Sequence, residues 1–183
     1  MPESLVSLQG SGETWDDIVR LLQLLNDELA GSDINGEIYL VGGAVMCIVH
    51  QSRQSTQDLD AFFRPAGEIR VAAEKIAARE DCSPDWLNDA VKGFLSESGD
   101  FDPFLQLSNL SVFTASPEYL LAMKCLSMRL GAEFHDEADV RYLLRFLNIE
   151  RYEAALEIIS RYYPLDRIPQ KTLYALEEML ESS

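Results

Sequence analysis

The chain has 183 residues and a mass of 20.6 kDa, enough for one domain or a small α/β unit with a helical extension; two large domains are excluded. Its composition, 47% hydrophobic and 25% charged, is that of a globular chain able to bury a core, not of a disordered tail. Fifteen Lys and Arg against 31 Asp and Glu leave a formal charge of -16, a field that repels phosphate backbones, so free nucleic acid is a disfavoured ligand.

Residues 1–12 read as a loose Gly/Ser-containing lead-in. They carry no basic stretch ahead of an apolar core, and no later segment approaches ~18 uninterrupted apolar residues, so neither an export signal nor a membrane span is expected. Cys47, Cys82 and Cys125 are odd in number and widely spaced, which builds neither a disulfide framework nor a metal knuckle and fits a reducing cytoplasm.

Thr14 and Asp17 stand at capping-box spacing, with Asp in place of the usual Glu, and predict a helix start. Trp15, Ile18, Leu21, Leu22, Leu25 and Leu29 then recur at threes and fours until Gly31 and the turn that follows it. Residues 37–41 form a short apolar run that ends at Gly42-Gly43, and 44–50 read as a helix, giving strand, glycine turn, helix. After a polar stretch, residues 58–63 alternate acid and apolar as a second strand, closed by Arg64-Pro65. Residues 67–79 have helical spacing, and Ser83-Pro84 predicts a further helix carrying Leu87, Val91 and Leu95. Leu110 to Phe113 is the last strand-like segment, and four helices are expected at about 117–131, 136–148, 151–162 and 170–181. The expectation is an α+β chain: a core over 13–116 with a small sheet flanked by helices, and a C-terminal helical bundle over 117–183.

The chemistry concentrates at Gly42-Gly43 and, 14 residues further, Asp58-Leu59-Asp60. On a strand Asp58 and Asp60 project from one face and Leu59 from the other. Adjacent carboxylates repel, and a hard cation such as Mg²⁺ between them makes the arrangement favourable, while a glycine turn lets phosphate oxygens approach the backbone. Together they suggest a metal–phosphate site; a tight turn beside a solvated acidic edge is the plainer alternative.

The stretch YLVGGAVMCIVHQSRQSTQDLDAFF resembles the signature of the nucleotidyltransferase superfamily, the DNA-polymerase-β-like fold. Its surroundings, SPEYLLAMKCLSMR and DEADVRYLL among them, are similar to bacterial proteins of that fold related to the AbiEii-type toxin nucleotidyltransferases. The resemblance implies a metal-dependent transfer of an NMP from an NTP to an acceptor hydroxyl with release of pyrophosphate, in a toxin–antitoxin or defence setting, with Mg²⁺ or Mn²⁺ as cofactor. By position it implies Gly42 and Gly43 at the triphosphate and Asp58 and Asp60 on the metal. Arg53, Ser55 and Thr56 match a basic-polar cluster of the relatives; Arg53 either clamps a phosphate or makes a surface ion pair.

The third acid that many members carry on a later strand has no counterpart in residues 110–114, and Asp100 and Asp102 read equally as turn residues. The relatives imply instead a helical lysine and a following acid, which here would be Lys124 and Asp139. On a helix over 117–131 Lys124 falls in the apolar arc, with Glu118 and Arg129 on the opposite face, so it needs an anionic partner or must snorkel at the bundle edge. Asp136 and Asp139 either pair with it or cap their helix. Cys47 and His50 are read as core and rim and not as zinc ligands, and Trp86, Leu87, Val91 and Phe94 as a helix face packed on the sheet, or an aromatic edge for an adenine base. Against the enzyme stand a catalytically inactive binding or regulatory module of the same fold and a helical interaction protein. RNA, protein and small molecules remain open as acceptors.

Overall fold

The computed structural model describes residues 13–52, 54–56 and 58–182; the lead-in expected over 1–12 lies outside them. Strand β1 (Glu13–Thr14) runs straight into α1 (Trp15–Gly31), where the Thr14 side chain accepts from the Asp17 N–H and the Asp17 carboxylate accepts from the Thr14 N–H. The capping box therefore starts the helix as its spacing requires. Ile18, Leu21, Leu22, Leu25 and Leu29 are at most 1% exposed, whereas Trp15, at the head of the same stripe, remains 44% exposed.

Next come β2 (Gly36–Leu40), α2 (Gly42–Ile48), β3 (Ser55–Thr56) and β4 (Leu59–Arg64), then α3 (Ala66–Glu80). β1 and β3 pair in a small antiparallel ribbon that ties the start of α1 to the polar stretch before β4. The helix expected after Ser83-Pro84 is not formed. Its place is taken by β5 (Leu87–Asn88) and a 3₁₀ turn at Ala90–Phe94. The reason is tertiary: Trp86 is buried with its indole N–H donating to the Ala73 carbonyl, and the Leu59 N–H donates to the Trp86 carbonyl, which pulls this segment into register beside β4.

A hairpin follows, β6 (Phe101–Gln106) and β7 (Leu110–Ala115), of which only the second strand is foreseen by the sequence. Pro103 lacks a donor for a ladder, and β6 accommodates it as the edge strand, with a register shift between Pro103 and Leu105. The sheet is five-stranded and mixed, in the order β5-β4-β2-β7-β6, with β2 antiparallel to β4 and parallel to β7. Helices α4 (Pro117–Ser127), α5 (Asp136–Phe146), α6 (Tyr152–Ser160) and α7 (Gln170–Glu181) complete the chain. The architecture is α+β, and one continuous apolar cluster joins Ile18 and Leu22 of α1 to Leu120, Leu143 and Leu176 of the C-terminal helices. Among the described residues no helix is long and apolar enough to cross a membrane.

Alternation along β4 divides the sheet's faces. Leu59, Ala61 and Phe63 are at most 2% exposed and point to the core with Ile38 and Leu40 of β2. Asp60 and Phe62 therefore face the other way, where Tyr39 stacks on Phe113 with ring centroids 4.9 Å apart.

Candidate functional site

Antiparallel pairing of β2 with β4 places the end of one strand beside the beginning of the other. Leu40 lies opposite Ala61, and the Val41 N–H donates to the Asp60 carbonyl at 3.0 Å. The next residue, Gly42, has φ +64°, a conformation that side-chain-bearing residues rarely adopt, and a Cβ built there would sit 3.4 Å from Asp60 Oδ2. The two motifs that are 14 residues apart in sequence are thus neighbours in space, and the absence of a side chain at Gly42 keeps the approach to Asp60 open.

β7 runs parallel to β2, so α4, which starts directly after it, departs from the same edge of the sheet. Leu120, Met123, Lys124 and Ser127 form one stripe of α4 at i, i+3, i+4 and i+7, and they line a cleft of about 620 Å³ together with Gly42, Gly43, Thr56, Asp58 and Asp60. Arg129, His135 and Asp136 line it beyond the end of α4, and Ala90, Val91 and Phe94 line it from the 3₁₀ turn.

Most of the residues singled out by the sequence converge here. Thr56 is buried, and its hydroxyl donates to the Asp58 carbonyl at 3.2 Å, bracing the turn into β4. Ser55 belongs to the β1–β3 ribbon, opposite Thr14, and does not line the cleft. Arg53 lies outside the described residues. Asp139 stands behind the cleft wall, 3% exposed, 2.7 Å from Lys124 Nζ.

Asp60, within β4, and Asp58, just ahead of it, differ in surroundings. Asp58 is exposed and takes an Asn88 amide contact at 3.4 Å from β5, whereas Asp60 is half-buried. Burial pushes the Asp60 carboxyl above the ordinary range and the charge of Asp58 adds to this, opposed by Asn88, Lys124 and Arg129. Taking up a proton, or a cation, relieves such a group. The donor set suits magnesium, which characteristically takes one or two protein carboxylates and completes its shell with water and phosphate oxygens. Among the described residues there is no cluster of three or more His, Cys, Asp or Glu side chains placed to hold a metal ion.

The helical wall carries matched charges. Lys124, 7% exposed, sits 2.7 Å from Asp139 and 3.6 Å from Asp136, so the anionic partner its position demands is supplied by α5 and not by solvent. Arg129 corrects the helical projection. α4 ends at Ser127 instead of continuing to Gly131, and the Arg129 N–H donates to Asp136 Oδ2 at 2.9 Å, with Nε 2.9 Å from the same oxygen. A tertiary carboxylate captures an amide that would otherwise extend the helix, and Arg129 turns into the cleft instead of lying with Glu118 on its far side. Burial raises Asp136, but the side-chain and backbone bonds from Arg129 and the charge of Lys124 outweigh it and hold its carboxyl below the usual range.

Asp100 and Asp102 play no part in the cleft. Asp100 accepts from the Ser116 hydroxyl at 2.7 Å and the Tyr162 hydroxyl at 2.9 Å, joining the start of α4 to the end of α6, and Asp102 is exposed on the edge strand. Of the residues read as one helix face, Trp86 and Leu87 are core, while Val91 and Phe94 face the cleft. Cys47 is buried, and the His50 ring packs in T-shaped contacts with Tyr142 and Phe146, ring centroids 5.3 and 4.9 Å apart. Asn88, Arg129, His135 and Asp136 are the polar contributors that the sequence reading did not assign to the site. The Asp-x-x-Asp spacing at 136–139 was the one signal available.

Comparison with family models, with curated proteins and with solved structures finds no match to this chain.

Proposed function

We propose that this chain has a nucleotidyltransferase-type fold whose cleft binds a magnesium–nucleoside triphosphate and transfers the NMP to an acceptor hydroxyl. The observation that carries the reading is the juxtaposition of Gly42, at φ +64°, with Asp60, whose Oδ2 would lie 3.4 Å from a Cβ placed on Gly42, in a cleft that also holds Asp58, Lys124 and Arg129. Asp58 and Asp60 would hold magnesium, the open backbone at Gly42-Gly43 would admit the phosphates, and the two cations would offset their charge. Bound there, the metal would supply polarisation of the phosphoryl oxygens. In the transfer, an acceptor oxygen bonds to the α-phosphorus as the α–β bridging bond breaks. Pyrophosphate leaves with that electron pair, and the hydroxyl proton passes to a carboxylate or to water.

One observation favours a second reading, a binding or regulatory module of the same fold. The cleft offers two carboxylates at the start of β4, Asp58 just ahead of the strand and Asp60 within it, and none on β7, and the acids of α5 are engaged with Lys124 and Arg129. Incubating the protein with each α-labelled NTP, Mg²⁺ or Mn²⁺ and cell lysate tests both. Label transferred to RNA, protein or a small molecule, and lost in Asp58→Asn and Asp60→Asn, supports the enzyme. Saturable Mg-NTP binding that needs both acids, with neither transfer nor pyrophosphate release, supports the module. No binding or turnover of Mg-NTP by the parent protein, or binding unchanged in both variants, eliminates both readings and leaves an interaction protein with a surface acid pair.

A further inference from the structure

The cleft changes character along α4. From Leu120 to Ser127 the lining stripe climbs ~10 Å, apolar at its start and polar at its end, where Arg129, His135 and Asp136 follow. Phe94 belongs to the apolar end. The Tyr163 hydroxyl donates to the Phe94 carbonyl, and Tyr163 lies beside Tyr119, the neighbour of Leu120 on the first turns of α4. Unlike Trp86 before it, which is 1% exposed, Phe94 leaves 46% of itself open, and it does so inside a cleft. An apolar ring left in water is unfavourable, and the chain around this one is tied down in a way that keeps it there. The Ser96 N–H donates to the Tyr119 hydroxyl at 2.9 Å, the Ser96 hydroxyl donates to the Tyr162 carbonyl at 2.5 Å, and Gly99 lies so close to the Tyr119 ring that a Cβ would fall 2.5 Å from it. The α4 and α6 region thus holds a flat hydrocarbon surface in a preset position at the end of the cleft remote from Arg129.

We infer that the Phe94 end of the cleft is a nucleobase subsite, in which the base of the triphosphate proposed above stacks on the Phe94 ring against Val91, Leu120 and Met123. The inference rests on the metal–nucleotide reading and adds an orientation: base toward Phe94, phosphates toward Gly42, Lys124 and Arg129. It also sets the substrate class. The side chains at this end, Ala90, Val91, Phe94, Leu120 and Met123, contain no N–H, O–H or carbonyl to read a base edge, so the base is taken by its face, as stacking platforms take it. Purine nucleotides bind more tightly than pyrimidine nucleotides because they stack more area, with adenine and guanine nearly equal.

Titration calorimetry on the full chain, with Mg²⁺ and the non-cleavable α,β-methylene analogues of ATP, GTP and UTP, tests this against tripolyphosphate, which carries the phosphates without a base. Phe94→Ala is expected to weaken the ATP analogue about tenfold and leave tripolyphosphate unchanged, and Phe94→Trp to restore the affinity. Melting temperatures of the two variants near that of the parent show that the fold is kept. If the ATP analogue loses nothing in Phe94→Ala while tripolyphosphate still binds and still requires Asp58, the subsite is wrong and the metal–phosphate reading stands. Equal losses for both probes in both variants make Phe94 a structural residue and overturn the subsite too. Binding of neither probe to the parent protein overturns the proposed function and the subsite with it.

Discussion

The two walls of the cleft present charge by different means. On the sheet wall, pairing with β5 holds Asp60 in β4 and Asp58 lies just ahead of the strand, and burial with the neighbouring charge raises Asp60 above its ordinary range. On the helical wall, Lys124 and Arg129 arrive already matched with Asp139 and Asp136. On one wall the charged form of Asp60 is disfavoured by its surroundings. The other is balanced within the fold. Substitutions on the sheet wall should therefore act on ligand binding and leave the fold intact, while those on the helical wall should act on stability first.

The sharpest break of this contrast is Asp58→Asn or Asp60→Asn. Each is expected to lower Mg-dependent NMP transfer by about 100-fold or more, measured with labelled NTP, while the urea midpoint stays level or rises slightly as like-charge repulsion is relieved. A large loss of stability with unchanged transfer would reverse the assignment of the two walls.

Next in size is Lys124→Met, which leaves two buried carboxylates short of a cation. Urea unfolding should show a loss of about 3 kcal/mol. A neutral result would mean that Lys124 contributes through the cleft and not through its pair with Asp139. Gly42→Ala is smaller, about 1–2 kcal/mol for an alanine held at φ +64°, and it tests the sheet wall at its glycine corner because its methyl group would lie 3.4 Å from Asp60 Oδ2. Its effect on Mg-NTP affinity should exceed its effect on the melting temperature.

The smallest effect is one of pH. The Asp136 carboxyl is depressed in the folded chain, so its contribution is fully present above its unfolded value of about 4 and is lost as the pH falls through the lower folded value. The stability difference between the parent protein and Asp136→Asn, read by urea unfolding from pH 6 downward, should be constant to about pH 4 and then shrink. A difference that persists at low pH would mean that Arg129 is held by shape and not by charge.

Local rules made much of the chain legible. The capping box at Thr14 and Asp17, the spacing of Ile18 to Leu29 and the alternation over 58–63 each depend on residues a few positions apart; the helix formed where those residues stand, and the strand formed one residue later, over Leu59–Arg64, with Asp58 just ahead of it. The segments that went elsewhere answered to distant partners. Residues 87–94 have helical spacing but are drawn beside β4 by the burial of Trp86, and the edge strand β6 exists because β7 offers it a ladder.

The same division runs through the candidate site. Sequence by itself determined the carboxylate pair and the glycine pair, since strand alternation and a glycine-permissive backbone are properties of the residues concerned. It also limited Lys124, in an apolar arc, to an anionic partner or to snorkelling at the bundle edge, because desolvating an unpaired ammonium is too costly. Tertiary structure decided which anions answer it, that Arg129 leaves the helix to join the cleft, and that Phe94 is held open at its apolar end. Those outcomes depend on contacts between segments far apart in the chain, such as Asp136 with the amide of Arg129 and Tyr163 with the carbonyl of Phe94, which no local period records.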